Sequence, residues 1–334
     1  MNSPPELGEI VVMNVLTEEE QSIIKYKAEN KSNYEIAELI YGDKYYEYKI
    51  RRFLKSDKFI LSQDSQQTVE GYNGDKDINI LYFDIECSPC LSWHFNHWGV
   101  NIREEHKQRQ SHLLSVAYAW NDGPVQGLRL TPEDVKNEDD LTLVVEMMEQ
   151  INKADVIVGY NSKKFDVKVV NTRALYHGLM PTKIAKHIDL YEQTKRLFKF
   201  PSNSMGNVSK YLGLQGKLEH EGWALWENSM NWQNADLCNE YLQKMLDYNL
   251  QDIVATRDYY KLIQGWVVNG PNLGTIRNVK TGNVTQRCPK CGGDDLSPVE
   301  QLTYTSAKSW ELYRCNNKKC NGVSKLTKNA MLGA

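Results

Sequence analysis

Two carboxylates lie two positions apart in an otherwise apolar stretch of the chain. Asp84 and Glu86 belong to LYFDIEC, whose apolar run predicts a buried strand. Side chains at alternate positions of a strand point to the same face. Two like charges at the end of a core strand raise the free energy through burial and mutual repulsion. A bound divalent cation would offset both effects, so this pair predicts a metal site.

Two later segments supply residues that could complete such a site. VIVGYNSKKFDVKVV predicts a strand followed by a helix, with Asp166 at their junction. In YNLQDIVATRDYY, Tyr248 and Asp252 are four positions apart and therefore share one face of a predicted helix. Carboxylate oxygens are the ligands that Mg²⁺ and Mn²⁺ prefer. Four acids and one tyrosine thus have an arrangement consistent with one metal centre.

The order and spacing of these segments resemble the three motifs of the DEDDy 3′–5′ exonucleases of the ribonuclease H-like superfamily. The motifs are FDIE, GYN-x-x-x-FD and Y-x-x-x-D. Over Ile78 to Gly265 the chain is similar to the proofreading domain of family B DNA polymerases. It is more similar to free-standing exonucleases of bacteriophages, which share the Trp-rich stretch LSWHFNHWGV. One departure is FDVK, where Lys168 stands in place of the usual proline of family B exonucleases, without affecting a ligand.

The resemblance implies hydrolysis of the terminal phosphodiester bond with two Mg²⁺ or Mn²⁺ ions. Asp84 would bridge the two ions. Glu86 and Asp252 would complete one ion site, while Asp166 would support the other, directly or through water. Such ion pairs activate the attacking water and stabilise the leaving 3′ oxygen. Tyr248 would orient that water through its hydroxyl.

Three further residues are candidates for substrate binding. Asn161 matches the asparagine of the second motif, and the resemblance implies that it positions the terminal nucleotide or the metal-binding loop. Trp93 and Trp98 belong to the polar and aromatic cluster beside the first motif. Their rings could stack on unpaired bases, which is worth about 1–3 kcal/mol per base. The alternative is that they form an apolar lid over the edge of the sheet.

Four cysteines near the end of the sequence have the spacing of a zinc site. Cys288-x2-Cys291-Gly-Gly precedes Cys315-x4-Cys320 by 23 residues. In this pattern two turns each supply two thiolates to one tetrahedral Zn²⁺. The intervening LTYTSAKSWELYRC alternates as the strands of a hairpin do. We therefore predict a structural zinc ribbon with one Zn²⁺, whose basic residues suit contact with either nucleic acid or protein.

The N-terminal part shows three helical stretches, interrupted at 30–33 and around Gly42. Their order resembles the helix-turn-helix of many bacterial DNA-binding domains, with the last helix presenting cations to DNA. The alternative is a protein-docking module, which can have the same three helices. The predicted DNA-binding residues are Lys49, Arg51, Arg52 and Lys55.

These patterns divide the chain into a helix-turn-helix domain (1–60), a polar linker (61–77), an exonuclease domain (78–270) and a zinc ribbon (271–334). Strands at Ile80 to Cys87, Leu113 to Trp120, Val125 to Leu130 and 155–161, with a helix over 139–154, indicate an α/β fold. The resemblance implies a ribonuclease H-like mixed sheet flanked by helices. The small flanking domains are expected to be all-α at the N-terminal side and β at the C-terminal side.

Composition and charge suit a globular protein that binds a polyanion. Apolar residues make up 41% of the chain and the net charge is −3. Both ends are basic: 21–59 has nine Lys or Arg against six acids, and 287–334 has eight against four. Neither a signal-peptide pattern nor a long apolar run is evident, so we expect a cytoplasmic protein without membrane contact, in a bacterial host if phage-encoded.

The expected function is 3′–5′ exonuclease activity on DNA, single-stranded in particular, serving phage DNA replication, repair or degradation. A separate DNA polymerase or another replication protein is a candidate partner. One alternative is an exoribonuclease, because the same core processes RNA 3′ ends. The alternative from another class is a nucleic-acid-binding adaptor or regulator whose exonuclease core is inactive.

Overall fold

The structure is a computed structural model that describes residues 18–28, 31–42, 50–51, 54, 71–74, 77–95, 98–183, 185–214, 221–304, 306–307 and 309–325. Three of the predicted DNA-binding residues, Lys49, Arg52 and Lys55, lie outside these ranges.

Among the described residues, the helices are α1 (Glu18–Ala28), α2 (Asn33–Tyr41), α3 (Pro132–Asn137), α4 (Leu141–Lys153), α5 (Asp166–Tyr176), α6 (Leu190–Leu197), α7 (Met205–Leu212), α8 (Trp223–Ser229), α9 (Ala235–Ile263) and α10 (Leu273–Thr281), with a 3-10 turn at Glu104–His106. The strands are β1 (Ile80–Cys87), β2 (Leu91–Ser92), β3 (Lys107–Arg109), β4 (Leu113–Trp120), β5 (Val125–Arg129), β6 (Val156–Gly159), β7 (Lys186–Asp189), β8 (Leu296–Tyr304), β9 (Ser309–Cys315) and β10 (Val323–Lys325).

A five-stranded mixed sheet forms the centre, in the order β5-β4-β1-β6-β7. Strand β1 is antiparallel to β4 and parallel to β6, and β6 is parallel to β7. Strand β1 is therefore central, which explains its nearly continuous apolar sequence. The predicted α/β fold with a mixed sheet and flanking helices is confirmed, and β1 and β4 have the predicted bounds.

Two apolar cores cover the two faces of this sheet. One core contains Leu81, Phe83 and Ile85 of β1 with the buried side of α4. The other contains Tyr82 of β1 with residues of α6, α7 and the second half of α9. The first half of α9 packs into the former core and its second half into the latter. The third predicted motif lies where the helix passes from one core to the other.

The N-terminal helices form a small apolar cluster of their own. Helix α2 begins with a capping box, in which Ser32 and Glu35 bond each other's backbone N–H, and it ends at Gly42 with φ 73°. Ile23, Ile36 and Ile50 pack together. The predicted break around Gly42 is confirmed. The assignment as a helix-turn-helix for DNA stays a prediction, with Arg51 exposed.

The C-terminal part is a three-stranded antiparallel sheet in the order β10-β9-β8. Helix α10 joins it to the central domain: Leu273 packs into the core, and its N–H donates to the Pro289 carbonyl over 2.8 Å. Arg277 pairs with Asp77 at 2.6 Å. The domain boundaries remain predictions. None of the helices in the described ranges is long and apolar enough to cross a membrane.

Candidate active site and metal centres

Strand β1 presents the two carboxylates of the first motif on one face of the sheet. Asp84 lies opposite Ala117 of β4, and Glu86 lies opposite Ser115. Both acids are half-buried, while Ile85 between them is buried on the other face. The register shifts immediately after Glu86, where β1 and β4 form an irregularity. Bulges of this kind re-aim side chains at the end of a strand and are frequent beside active sites.

Helix α9 brings the third motif onto that face. Tyr248 and Asp252 are buried on the side of the helix that faces the sheet. Oxygen atoms of Asp84, Glu86 and Asp252 all lie within 4.8 Å of one another. The contact is fixed beside them by Asn249, whose Nδ2 donates to the Ser115 hydroxyl over 3.0 Å. Residues separated by about 170 positions thus form one carboxylate cluster.

Asp166 of the second motif reaches the same strand from the other side. It is the first residue of α5, where the helix dipole favours a negative charge. Its Oδ1 accepts a hydrogen bond from the Ile85 N–H over 3.2 Å. This N–H is available because β6 pairs with β1 only as far as Tyr82. Asp166 is therefore fixed to the backbone between Asp84 and Glu86, although it lies outside the group of three that share the 4.8 Å limit.

The loop of the second motif is held by an aspartate that lies outside the three motifs. Buried Asp189, at the end of β7, accepts hydrogen bonds from the backbone N–H groups of Asn161 (3.1 Å) and Lys163 (3.0 Å). It also caps α6 by accepting from Tyr191 and Glu192. Asn161 has φ 63°, a left-handed conformation that asparagine tolerates. The pattern Asp-x-x-Glu at a helix start was a signal for this cap.

Asp140 anchors helix α5 at its opposite end. This fully buried carboxylate accepts two hydrogen bonds from Arg173, of 2.7 and 2.8 Å. It also forms a hydrogen bond of 2.6 Å with His177. It also accepts the Leu113 N–H of β4 over 2.9 Å. Burial alone would raise the pKa of Asp140, but these partners outweigh it and lower the pKa to about 2. The helix that carries Asp166 is therefore tied to the sheet twice.

The negative charges of the acids affect the pKa of a neighbouring thiol. Burial raises the pKa of Cys87, and the charges of Glu86 and Asp166 raise it further. A set of carboxylate oxygens with negative potential matches the chemistry of hard divalent cations. The donors present therefore fit Mg²⁺ or Mn²⁺.

The predicted stacking residues lie on the surface after β1. Trp93 is 72% exposed and Trp98 is 91% exposed. The Trp93 N–H donates to the His106 carbonyl, which continues the short β2–β3 pairing. The stacking role of these exposed rings, and the alternative of an apolar lid, stay predictions.

The four C-terminal cysteines come together in the small sheet. All four sulfurs lie within 4.8 Å of one another. Cys288 and Cys320 are 3.9 Å apart, and Cys291 and Cys315 are 3.6 Å apart. Hydrogen bonds from Cys291 and Cys320 lower the pKa of the Cys288 thiol, and the Lys290 N–H adds to this. All seven cysteines are free of disulfides. Four sulfur ligands this close together can bind one Zn²⁺ ion, which prefers tetrahedral coordination by thiolates.

Comparison with protein-family models agrees with the fold of the central domain. Residues 104–264 match the family model described as the RNase_H superfamily, a range that contains Asp166, Tyr248 and Asp252 and begins after β1. Comparison with curated proteins found no match. Among solved structures, the chain matches the family B DNA polymerase of the hyperthermophilic archaeon Pyrobaculum calidifontis, with TM-score 0.42, 16% identity and coverage of 70% of this chain. The chain spans 32% of that polymerase.

Proposed function

We propose that this chain, whose central domain is RNase H-like, is a metal-dependent 3′–5′ exonuclease that hydrolyses terminal phosphodiester bonds of single-stranded DNA. One observation carries the proposal: oxygens of Asp84, Glu86 and Asp252 meet within 4.8 Å, and Asp166 is anchored to the backbone between the first two. The domain is of a nuclease superfamily, so nucleic acid is its expected partner.

The ligand assignment follows from how the acids are held. Asp84, Glu86 and Asp252 would bind one Mg²⁺ or Mn²⁺, and Asp166 would support a second beside Asp84. Bound ions of this kind activate water and neutralise charge on the phosphodiester. The half-exposure of Asp84 and Glu86 leaves their outer side open to substrate, whereas buried Asp252 fixes the inner side. This asymmetry suits a site that must admit a strand end.

Tyr248 and Asn161 supply the positioning groups. Tyr248 lies one helical turn before Asp252, so its hydroxyl is on the same face of α9 and can orient the attacking water. Asn161 is fixed by Asp189 in the loop that leads to Asp166. That location supports a role in holding the terminal nucleotide or the loop. Exposed Trp93 and Trp98 would stack on bases farther from the strand end.

The flanking parts are proposed to hold and stabilise the enzyme. Cys288, Cys291, Cys315 and Cys320 would bind one structural Zn²⁺ in a ribbon over 271–334. A ring of four thiolates leaves no open coordination position, so this site would take no part in hydrolysis. The predicted helix-turn-helix over 1–60 would bind DNA through its predicted third helix, most of whose basic residues lie outside the described ranges. A separate DNA polymerase or another replication protein is proposed as a partner.

The test follows 3′-labelled and 5′-labelled single strands of DNA and RNA of one sequence on a sequencing gel. The protein is incubated with Mg²⁺ or Mn²⁺, or with EDTA followed by excess Mg²⁺. We expect a metal-dependent ladder on DNA that shortens from the 3′ end and that returns when Mg²⁺ is restored. A ladder on RNA alone would establish the exoribonuclease instead.

Intact strands under every metal condition would overturn the proposal. If those strands were retarded on a native gel, the chain would be a nucleic-acid-binding adaptor. The matched control is Asp247→Asn, which changes an exposed aspartate of α9 five positions before Asp252 and should leave the ladder unchanged.

A further inference from the structure

Four aromatic rings, none of which belongs to the carboxylate cluster, form a ladder on the surface beside helix α6. Phe198 lies 5.8 Å from Trp266 and 5.7 Å from Phe200, and Phe200 lies 5.3 Å from Tyr211, measured between ring centroids. The inner rings, Phe198 and Phe200, are half-buried, while Trp266 is 63% exposed and Tyr211 is 67% exposed. The ladder thus has a supported middle and two open ends.

The edge-on contacts explain how the outer rings are held. Trp266 meets Phe198 at an interplanar angle of 62°, and Tyr211 meets Phe200 at 79°. In such T-shaped pairs one ring directs its edge at the face of the other. Each outer ring is therefore fixed by one phenylalanine while much of its surface faces solvent. Fixed, exposed aromatic faces are what stacking on unpaired bases requires.

The segment that carries three of the four rings has charges of one sign. The segment Gln193 to Leu214 contains four basic residues and no Asp or Glu, although the whole chain has a net charge of −3. All four basic side chains are exposed, and they are Lys195, Arg196, Lys199 and Lys210. Exposed cations interleaved with aromatic rings match a polyanion whose bases are unpaired.

The ladder is also connected to the proposed active site. Asp189, which holds the loop of the second motif, caps the start of helix α6, and the helix ends just before Phe198. Its eight residues span about 12 Å. A strand lying along α6 could therefore reach from the ladder toward the carboxylate cluster. At the other end, Gly265 beside Trp266 contacts the first cysteine turn, where Lys290 Nζ donates to the Gly265 carbonyl.

We propose that the four rings, together with Lys195, Arg196, Lys199 and Lys210, form a binding site for single-stranded DNA outside the catalytic centre. The outer rings stack on bases and the cations contact the backbone. The inference deepens the proposed exonuclease by giving it a second grip on its substrate, and it rests on that function. Duplex DNA offers no free base faces, so it should not use the ladder.

The test measures binding by fluorescence anisotropy with Ca²⁺ in place of Mg²⁺, so that binding is read without hydrolysis. The probe is a labelled oligothymidylate longer than the typical site size of about 4–16 nucleotides. We expect Trp266→Ala and Tyr211→Ala each to weaken binding about 10-fold, and the double variant about 100-fold. Trp266→Phe should restore most of the loss, because a ring suffices for stacking.

The matched control is Trp223→Ala on α8, since Trp223 is 64% exposed and lies outside the ladder. It should bind as the unmodified protein does, and all variants should keep the same thermal transition. If Trp266→Ala and Tyr211→Ala bound the oligonucleotide as tightly as the unmodified protein, the proposed role of the aromatic ladder would be wrong. An equal loss of affinity in Trp223→Ala would also contradict it. Tighter binding of the matching RNA would overturn the assignment to DNA. If only the proposed exonuclease activity were wrong, the sequencing gel would show no shortened strands. The losses of binding affinity in the alanine variants would still be observed.

Discussion

The carboxylate cluster and the cysteine cluster both gather anionic ligands, but they do so in opposite ways. The cysteines span only Cys288 to Cys320, and three of the four are buried. The carboxylates span Asp84 to Asp252, and two of the three are half-exposed. A closed site suits an ion that only stabilises structure, whereas an open site can admit a substrate.

The two clusters also differ in what holds them. Cys288 and Cys291 accept hydrogen bonds from Lys290 and Gly293 within their own turn. The carboxylates depend on contacts between segments that are far apart in the sequence, such as the hydrogen bond of Asn249 with Ser115. The cysteine cluster should therefore be sensitive to its own ligands, and the carboxylate cluster to substitutions far from it. The following predictions test that difference, beginning with the largest effect.

Loss of zinc should unfold the C-terminal sheet. Cys315→Ser removes a buried ligand, and structural zinc supplies on the order of 10 kcal/mol in small domains. We expect the zinc content by elemental analysis to fall from one ion per chain to near zero, with loss of a calorimetric transition. Cys90→Ser, which changes an exposed cysteine, is the control. Full zinc content in the Cys315 variant would refute the site.

Asp252→Asn should abolish most hydrolysis without unfolding the chain. It removes a ligand charge worth several kcal/mol in the transition state, so we expect the rate to fall by about 10³-fold or more. Asp247→Asn, the same change on the exposed side of α9, should leave the rate within about twofold. Equal rates for the two variants would show that the cluster is not catalytic.

Asp140→Asn should destabilise the fold through the anchor of α5. The substitution leaves buried Arg173 without its counter-charge and replaces the carboxylate oxygen that contacts His177, at a cost of about 3–5 kcal/mol in urea unfolding. Because the folded pKa of Asp140 is lowered to about 2, its stabilisation is present above its ordinary value near 3.8 and is lost as pH falls toward 2. The variant should therefore show a weaker loss of stability over that range; an unchanged profile would contradict the assignment.

The contact between the C-terminal part and the central domain should contribute least. Lys280 of α10 pairs with Asp155 at 2.6 Å, and both side chains are largely buried. Lys280→Met should lower the free energy of unfolding by about 1–2 kcal/mol. Lys136→Met breaks an exposed pair with Glu133 and should cost at most about 0.5 kcal/mol. If both changes lowered the free energy of unfolding equally, the contact of α10 with the central domain would not be stabilising.

Sequence patterns predicted what is local. The bounds of β1 and β4 follow from their apolar runs, and the cysteine turns follow from ligand spacing. Contacts between distant segments were out of reach: Asp140 and Arg173 are 33 positions apart, and no pattern relates them. The same holds for the aromatic ladder, because Tyr211 and Trp266 become neighbours of one surface only after α9 packs on the sheet. The three motifs were found through resemblance, which substitutes for that missing long-range information.

The most direct test of a catalytic metal site is to measure Mn²⁺ binding to the zinc-loaded protein by electron paramagnetic resonance. We expect two Mn²⁺ ions per chain with a coupled spectrum, because two-metal sites hold their ions about 3.5–4 Å apart. Asp84→Asn should lose the coupled signal while keeping its zinc and its thermal transition. A coupled Mn²⁺ signal that survives in Asp84→Asn, or the absence of Mn²⁺ binding in the unmodified protein, would contradict a catalytic metal site at this cluster.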